Sequence, residues 1–295
     1  MSFFALLGAL EQGLVYGIMV LGVYLTFRIL DFPDLTVDGS LPLGAAVSAV
    51  CVTNGIDPFL SLFVAMGAGF LAGMVTGILN TKLGILHLLA SILTMTALYS
   101  INIRIMSGPN VSLLGVRTVL DPIMDLGITG YYASPLLFSG IVVAVVIWLI
   151  WFLYTEIGQT MLASGDNLQM ITSQGVDTHK VIIYGVGLSN ALVALSGALI
   201  AQNQGAADVN MGVGTIVAGL ASVIVGETVF GNSSVPRAIV AAIVGSVIYR
   251  VAIALALGLK IGSFAFTPSD LNLITALLVV VALTAPKLKK RFGKC

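Results

Sequence analysis

The sequence predicts an all-α fold, a polytopic bundle of transmembrane helices, and three observations carry that prediction. Hydrophobic residues make up 58% of the 295 and charged residues only 9%, far more apolar chain than one soluble core buries. The apolar residues fall in long runs of membrane-spanning length. Those runs are continuous and do not alternate in short segments, which disfavours a β-barrel.

Nine apolar segments follow one another, at about 3–30, 39–53, 57–79, 86–105, 134–154, 181–202, 213–230, 237–259 and 270–285. The first lacks the basic flank and small-residue cleavage pattern of a signal peptide, so it is read as a retained span. The second and ninth are short. Fifteen helical residues reach only about 22 Å against roughly 30 Å of hydrocarbon, so such pieces need non-helical flanks shielded by protein. Gly69, Gly73 and Gly77 recur at four-residue spacing in the third segment, as Gly13 and Gly17 do in the first. Small residues at that spacing let helix backbones approach, and packing inside the bundle is expected before dimerisation. The whole chain, 1–295, is read as one transmembrane domain.

Lys and Arg in the short loops set the expected orientation. With the polar stretch 158–180 and the C-terminus cytoplasmic, nine spans place the N-terminus outside. Arg28, Lys82, Lys180, Arg237, Lys287, Lys289, Lys290, Arg291 and Lys294 then face the cytoplasm, while Arg104, Arg117 and Lys260 face out and Arg250 lies within a span. The segment 107–133 becomes the largest external feature.

Between the first two apolar segments lies DFPDLTVDGSLPL, residues 31–43, with three carboxylates and no base. Asp38 or Ser40 can cap the helix that follows, with Pro42 in its first turn. Because that helix is short, a broken, partly embedded helix is expected. A faint echo appears later: GSLPLGAAVSAV from Gly39 aligns with GTIVAGLASVIV from Gly214. The two segments run in opposite senses, a weak inverted repeat with broken helices at its centre. Gly39, Ser40, Gly44, Gly214, Thr215 and Gly219 are therefore expected to line a route through the membrane. A helix start aimed at the midplane there would favour a carboxylate-bearing solute.

The stretch GQTMLASGDNLQMITSQGVDTHK, residues 158–180, is a polar island between apolar blocks. Ser164 or Asp166 can cap a short helix through Asn167–Ser173, and Gly175 can close it in a left-handed turn. A capped, water-facing helix between spans reads either as a plain loop or as a docking element.

No catalytic constellation is visible. His87 and His179 stand apart from any second ligand at metal-binding spacing, Cys51 and Cys295 indicate neither disulfide framework nor metal site, and no phosphate-binding GxxxxGK[ST] sequence occurs. Thirteen basic and thirteen acidic residues cancel, with no basic cluster for nucleic acid. Glu11, Glu227 and Arg250 are charges near or within spans.

Three stretches together resemble the permease subunits of bacterial ABC importers in the branched-chain amino acid and ribose group. They are FPDLTVDGSLPLGAA at 32–46, GQTMLASGDNLQMITSQGVDTHKV at 158–181 and LSGALIAQNQGAADVNMGVGTIVAGLASVIVGETVFG at 195–231. The pattern is most similar to the subfamily assigned to tryptophan or tyrosine uptake. Where many relatives have paired glycines, this chain has Gly226 followed by Glu227. The resemblance implies a permease without enzymatic activity or cofactor in the bacterial inner membrane, paired with a second permease, two cytoplasmic ATPase subunits and an external binding protein. It makes 158–180 the coupling loop, with Ser164, Asp166, Asn167, Gln169 and Gly175 as contact or shaping residues. It favours an amino acid, and an aromatic one, as cargo. A secondary transporter working without an ATPase, or a non-transporting scaffold subunit, are the rival readings. A secondary transporter should carry buried acidic residues for ion coupling.

Overall fold

The computed structural model describes residues 3–125, 130–231 and 233–258, with isolated pieces at 260–261, 264–265, 280 and 284. Among the described residues six helices are long and apolar enough to cross a membrane, and two shorter apolar helices accompany them. Helix α1, Phe3–Tyr24, runs into a π-helical turn at Leu25–Ile29; α2, Val37–Thr53, and α3, Pro58–Thr81, follow. Then come α4, His87–Met106; strand β1, Asn110–Ser112; α5, Asp121–Asp125; and α6, Gly130–Leu153. The polar island forms α7, Glu156–Asp166, and α8, Leu168–Ser173. The chain continues with α9, Thr178–Gln204; strand β2, Ala206–Asp208; α10, Thr215–Phe230; and α11, Val235–Gly258. Eight of the nine expected apolar segments are thus helices. The ninth, 270–285, lies almost wholly outside the described residues, as do Lys287–Lys294.

Helix α9 is the axis of the bundle, buried along most of its length and packed against α1, α2 and α3. Glycine makes that packing possible. A Cβ on Gly69 or Gly73 would overlap the α9 carbonyls of Asn190 or Val186, and one on Gly77 would stand 2.8 Å from Ile183 Cα. Gly13 meets Val247 Cα of α11 at 2.7 Å and Gly17 meets Ile243 at 3.0 Å in the same sense. The small-residue stripes of the first and third segments are therefore spent on packing inside the bundle.

The bundle has two distinguishable faces. At one, β1 and β2 pair antiparallel, with Val111 opposite Ala207, and tie the end of α4 to the end of α9. Val119 N–H also donates to Gln202 Oε1 at 2.9 Å, holding the 107–125 segment down on that face. At the other face lie α7, α8, the start of α9 and the π-turn that ends the first span. Arg28 and Lys180 sit at this α7–α8 face, and Arg104 and Arg117 at the β-paired one.

Helices α2 and α10 are 17 and 16 residues long, and both begin about midway between the faces. Gly39 lies against Met95 and Leu98, in the middle of α4, and Asn102 Nδ2 donates to the Gly39 carbonyl at 3.2 Å. The chain reaches each start through irregular backbone, 30–36 from the α7–α8 face and 209–214 from the β-paired face. Phe32, Asp34 and Thr36 of the first stretch are buried by other helices, as backbone at membrane depth must be, whereas Asn210, Val213 and Gly214 of the second are exposed in the single chain.

Candidate functional site: the junction of two half-helices and the coupling helices

The starts of α2 and α10 meet, and Asp38 is the residue that joins them. Its Oδ1 accepts from the Ile216 N–H and the Thr215 hydroxyl, both at 2.9 Å, and its Oδ2 accepts from the Gly214 N–H at 3.1 Å. A carboxylate at the open N–H groups of a helix start satisfies them and opposes the positive end of the helix dipole. Asp38 was expected to cap its own helix. It caps the other one, and α2 begins at Thr36 with no side-chain cap. Ser40 does not cap either: it is fully buried, and its hydroxyl has no partner.

Pro42 sits inside α2 rather than in its first turn. Its missing N–H leaves the Asp38 carbonyl without its usual helical donor. Gly212 fills that opening, where a Cβ would overlap the Asp38 carbonyl and crowd Pro42 Cδ at 2.7 Å. Gly214, at φ +77°, turns the chain into α10.

The carboxylate-binding helix start expected here is therefore already occupied from within, by Asp38. Beside it lies a cavity of about 240 Å³ lined by Asp38, Gly39, Tyr99, Asn102, Asn210 and Val213 among others. Of the six residues expected to line a route, Gly39 borders this cavity, and Gly214 and Thr215 donate to the Asp38 carboxylate that lines it. Gly44 and Gly219 do something else. A Cβ on Gly44 would overlap the Ala194 carbonyl of α9, and one on Gly219 would press on Val23 of α1 at 3.0 Å. They are packing glycines.

Asp34, which the sequence reading passed over, is buried just before α2. Its Oδ1 accepts the Thr36 N–H at 2.9 Å, and its Oδ2 accepts Asn190 Nδ2 at 2.7 Å. Thr36 in turn bonds Thr76 at 2.8 Å. These bonds pin the irregular segment to α3 and α9. The signal was present in Asp-Leu-Thr, which fits a side chain turning back on the N–H two residues on.

Glu227, which replaces the second of the paired glycines, forms a two-pronged ion pair with Arg28 of the π-turn, with Arg28 Nε to Oε1 at 2.8 Å. The end of α10 is thereby fastened to the end of the first span. Arg250 lies over the Tyr16 ring at 3.5 Å, a cation–π contact between α11 and α1. Glu11 accepts a hydrogen bond from Asn203.

Helices α7 and α8 differ in detail from the expected single capped helix. Helix α7 continues to Asp166, so neither Ser164 nor Asp166 caps the second helix; Asn167 does, its Oδ1 accepting the Met170 N–H at 3.0 Å. Gly175, at φ +88°, closes the turn as expected. Ser164 is buried, whereas Asp166, Asn167, Leu168, Gln169 and Met170 are exposed. Asp177 then caps α9, and its hydrogen bond with Lys180 holds its carboxyl below the usual carboxylate range. Gly165 abuts the first span so closely that a Cβ there would overlap the Ile29 carbonyl. A continuous set of contacts thus runs from α7 through Ile29 and Arg28 to Glu227, along α10, and to Asp38.

One prediction arises directly. Glu227→Gln is expected to weaken that link and lower uptake several-fold while the protein still folds, since Arg28 is half-exposed and a pair with an exposed partner contributes only about 0–1 kcal/mol to stability. Exchanging the pair, Arg28→Glu with Glu227→Arg, should restore part of the rate. Unchanged uptake in Glu227→Gln would remove the pair from the transmission route.

The comparisons with known proteins agree with this architecture. The family model described as "Branched-chain amino acid transport system / permease component" matches residues 5–284. A tyrosine transport system permease protein of Clostridioides difficile is 41% identical over 283 residues, covering 96% of this chain and 92% of that protein. An uncharacterised protein of Rickettsia prowazekii is 33% identical over 286 residues, 96% and 98% of the two chains. A ribose import permease of Haemophilus influenzae is 27% identical over 194 residues, 64% and 58% of the two. Among solved structures, PsaBC from Streptococcus pneumoniae in complex with Fab is similar in fold, at a TM-score of 0.52 and 17% identity over 96% of this chain and 91% of that one. With a family model matching nearly its whole length, the chain belongs to the permease components of the branched-chain amino acid transport systems and is a membrane subunit of an ABC importer.

Proposed function

We propose that the chain, as a pair of copies, forms the translocation route of an ATP-driven importer for an amino acid, with an aromatic one favoured. The similarity to a tyrosine transport permease supports the cargo class. The observation that carries the mechanism is the unbroken set of contacts from the exposed α7–α8 surface to the Asp38 junction. A cytoplasmic ATPase moves α7 and α8; Gly165 against Ile29 passes that motion to the first span, and Arg28–Glu227 passes it to α10. Rotating α10 shifts the junction that borders the cavity, opening the route alternately to each side.

On this reading the α7–α8 face is cytoplasmic, the N-terminus is outside and the Lys/Arg tail inside, and the β-paired face receives an external binding protein. Asp166, Asn167 and Gln169 contact the ATPase, with Gly175 shaping the turn and Ser164 acting from beneath. Gly39, Gly214 and Thr215 border the route, while Ser40, Gly44 and Gly219 set the helix spacing behind it. Tyr99 and Val213, 50% and 72% exposed at mid-depth beside the cavity, mark the side on which a second copy closes it.

Buried Asp34 and partly buried Asp38 are acids of the kind a secondary transporter would use. Both are held by backbone and amide donors that fix structure, which favours a structural role over ion coupling. A cysteine at Gln169 tests the assignment: it is expected to cross-link to the partner ATPase in membranes carrying both. Failure there, with cross-linking from another loop on the same face, would overturn it.

A further inference from the structure

Both histidines of the chain, far apart in sequence, come to one cavity of about 440 Å³ at the α7–α8 face. His87 opens α4, and His179 lies in the first turn of α9. His87 stands edge-on to buried Phe32, ring centroids 4.6 Å apart. Asp31 borders the same cavity, and it is one of two non-glycine residues at positive φ (+50°) among the described residues. The same cavity is lined by Ser164, buried, its hydroxyl without a hydrogen-bond partner among the described residues. Neither the Asp31 carboxylate nor the His179 ring makes a hydrogen bond among the described residues. The route and the coupling contacts account for neither histidine and not for Asp31.

The lining is mixed in a way that selects a ligand class. One carboxylate, two imidazoles and a spare hydroxyl stand over an apolar floor that includes Phe32, Leu168 and Ile182. A simple anion would meet the Asp31 charge, and a simple cation would leave the imidazole and hydroxyl donors idle. A molecule with an ammonium, a carboxylate and an apolar or aromatic body uses all three. No cluster of His, Cys, Asp and Glu able to hold a metal ion is present among the described residues.

We propose that this cavity is a second binding site for a zwitterionic amino acid, one that takes the cargo after release and holds the coupling helices still. The ammonium pairs with Asp31, the carboxylate takes hydrogen bonds from His179 and Ser164, and the side chain lies against Phe32 and His87. Ser164 and Leu168 belong to α7 and α8, whereas Asp31 and Phe32 belong to the segment leading to α2. A bound ligand therefore bridges the moving coupling helices to the half-helix they drive, and accumulated cargo slows its own import. The proposal rests on the amino-acid importer reading for its cargo, and its test separates the two.

Titration calorimetry on the purified full-length chain with L-tyrosine is expected to show saturable binding. Tyramine, which lacks the carboxylate, and 3-(4-hydroxyphenyl)propionate, which lacks the ammonium, should bind at least about tenfold more weakly, the loss of one good polar contact. Asp31→Asn and His179→Gln, both at exposed positions, should each weaken L-tyrosine by a similar factor. In vesicles reconstituted with the partner subunits, preloaded L-tyrosine on the ATPase side should slow initial uptake several-fold, and both variants should escape that inhibition while transporting normally from empty vesicles. No saturable binding, equal displacement by inorganic phosphate, or binding and inhibition unchanged in both variants would each overturn the site. If ATP-dependent amino-acid uptake persists in those cases, the importer reading stands and only the cavity assignment falls. If no amino acid is transported while the binding results hold, the site stands and the cargo reading falls.

Discussion

Replacing Asp38 with alanine is expected to lower uptake by more than about tenfold. The carboxylate satisfies two backbone N–H groups and one hydroxyl at the start of α10, at about the middle of the bundle. Without it those groups lose their partner, at about 0.5–1.5 kcal/mol for a typical hydrogen bond. The larger loss is mechanical, because Asp38 is the side chain that carries the position of α10 to α2. Asp38→Asn keeps an acceptor oxygen but turns an amide donor toward donors, so it should retain only part of the activity. Asp38→Glu should fare no better, since the extra methylene displaces the oxygens from a fixed junction. Uptake in membrane vesicles, normalised to the amount of folded permease, reads the effect; near-normal rates in Asp38→Ala would mean that the junction is not part of the moving route.

Gly44→Leu is expected to remove folded protein from the membrane altogether. The α-carbon of Gly44 lies against the α9 backbone at Ala194, and Gly197 of α9 is held just as closely against Leu41. A leucine there must push two central helices apart. Overpacking costs typically about 1–3 kcal/mol when neighbours can yield, and a backbone carbonyl yields less than a side chain. Even Gly44→Ala should lower the thermal midpoint, whereas Gly67→Leu, at a position with nothing within 4 Å, should be tolerated. A normal amount of monodisperse Gly44→Leu protein would contradict the packing described here.

How far the sequence alone reaches differs from element to element. The glycine stripe at 69, 73 and 77 was legible because four-residue spacing is a property of one helix face. The short helix α2 was legible because a run of fifteen residues does not span a bilayer, whereas α10 was read only as a faint echo of it and its length gave no such warning. The cap of α8 was not: Ser164, Asp166 and Asn167 are all good capping residues, and choosing among them requires knowing that α7 runs on to Asp166. Asp38 was misassigned for a similar reason. Its local sequence favours capping α2, but its partners lie some 177 residues away, and tertiary structure overrides the local preference. Asp34 was missed because three acids in a loop resemble a solvated turn, and only the packing of α3 and α9 shows one of them buried. Glu227 stood out as a departure from the family pattern, yet nothing local pointed to Arg28.

The central claim is that this chain forms a route driven by ATP hydrolysis on a partner. Proteoliposomes containing the chain, its ATPase and its binding protein test it most directly, with labelled L-tyrosine supplied on the binding-protein side. Accumulation that requires ATP, stops when the ATPase is omitted, and is unaffected by collapsing proton and sodium gradients is the predicted result. Uptake that proceeds without the ATPase and follows an ion gradient would contradict the account.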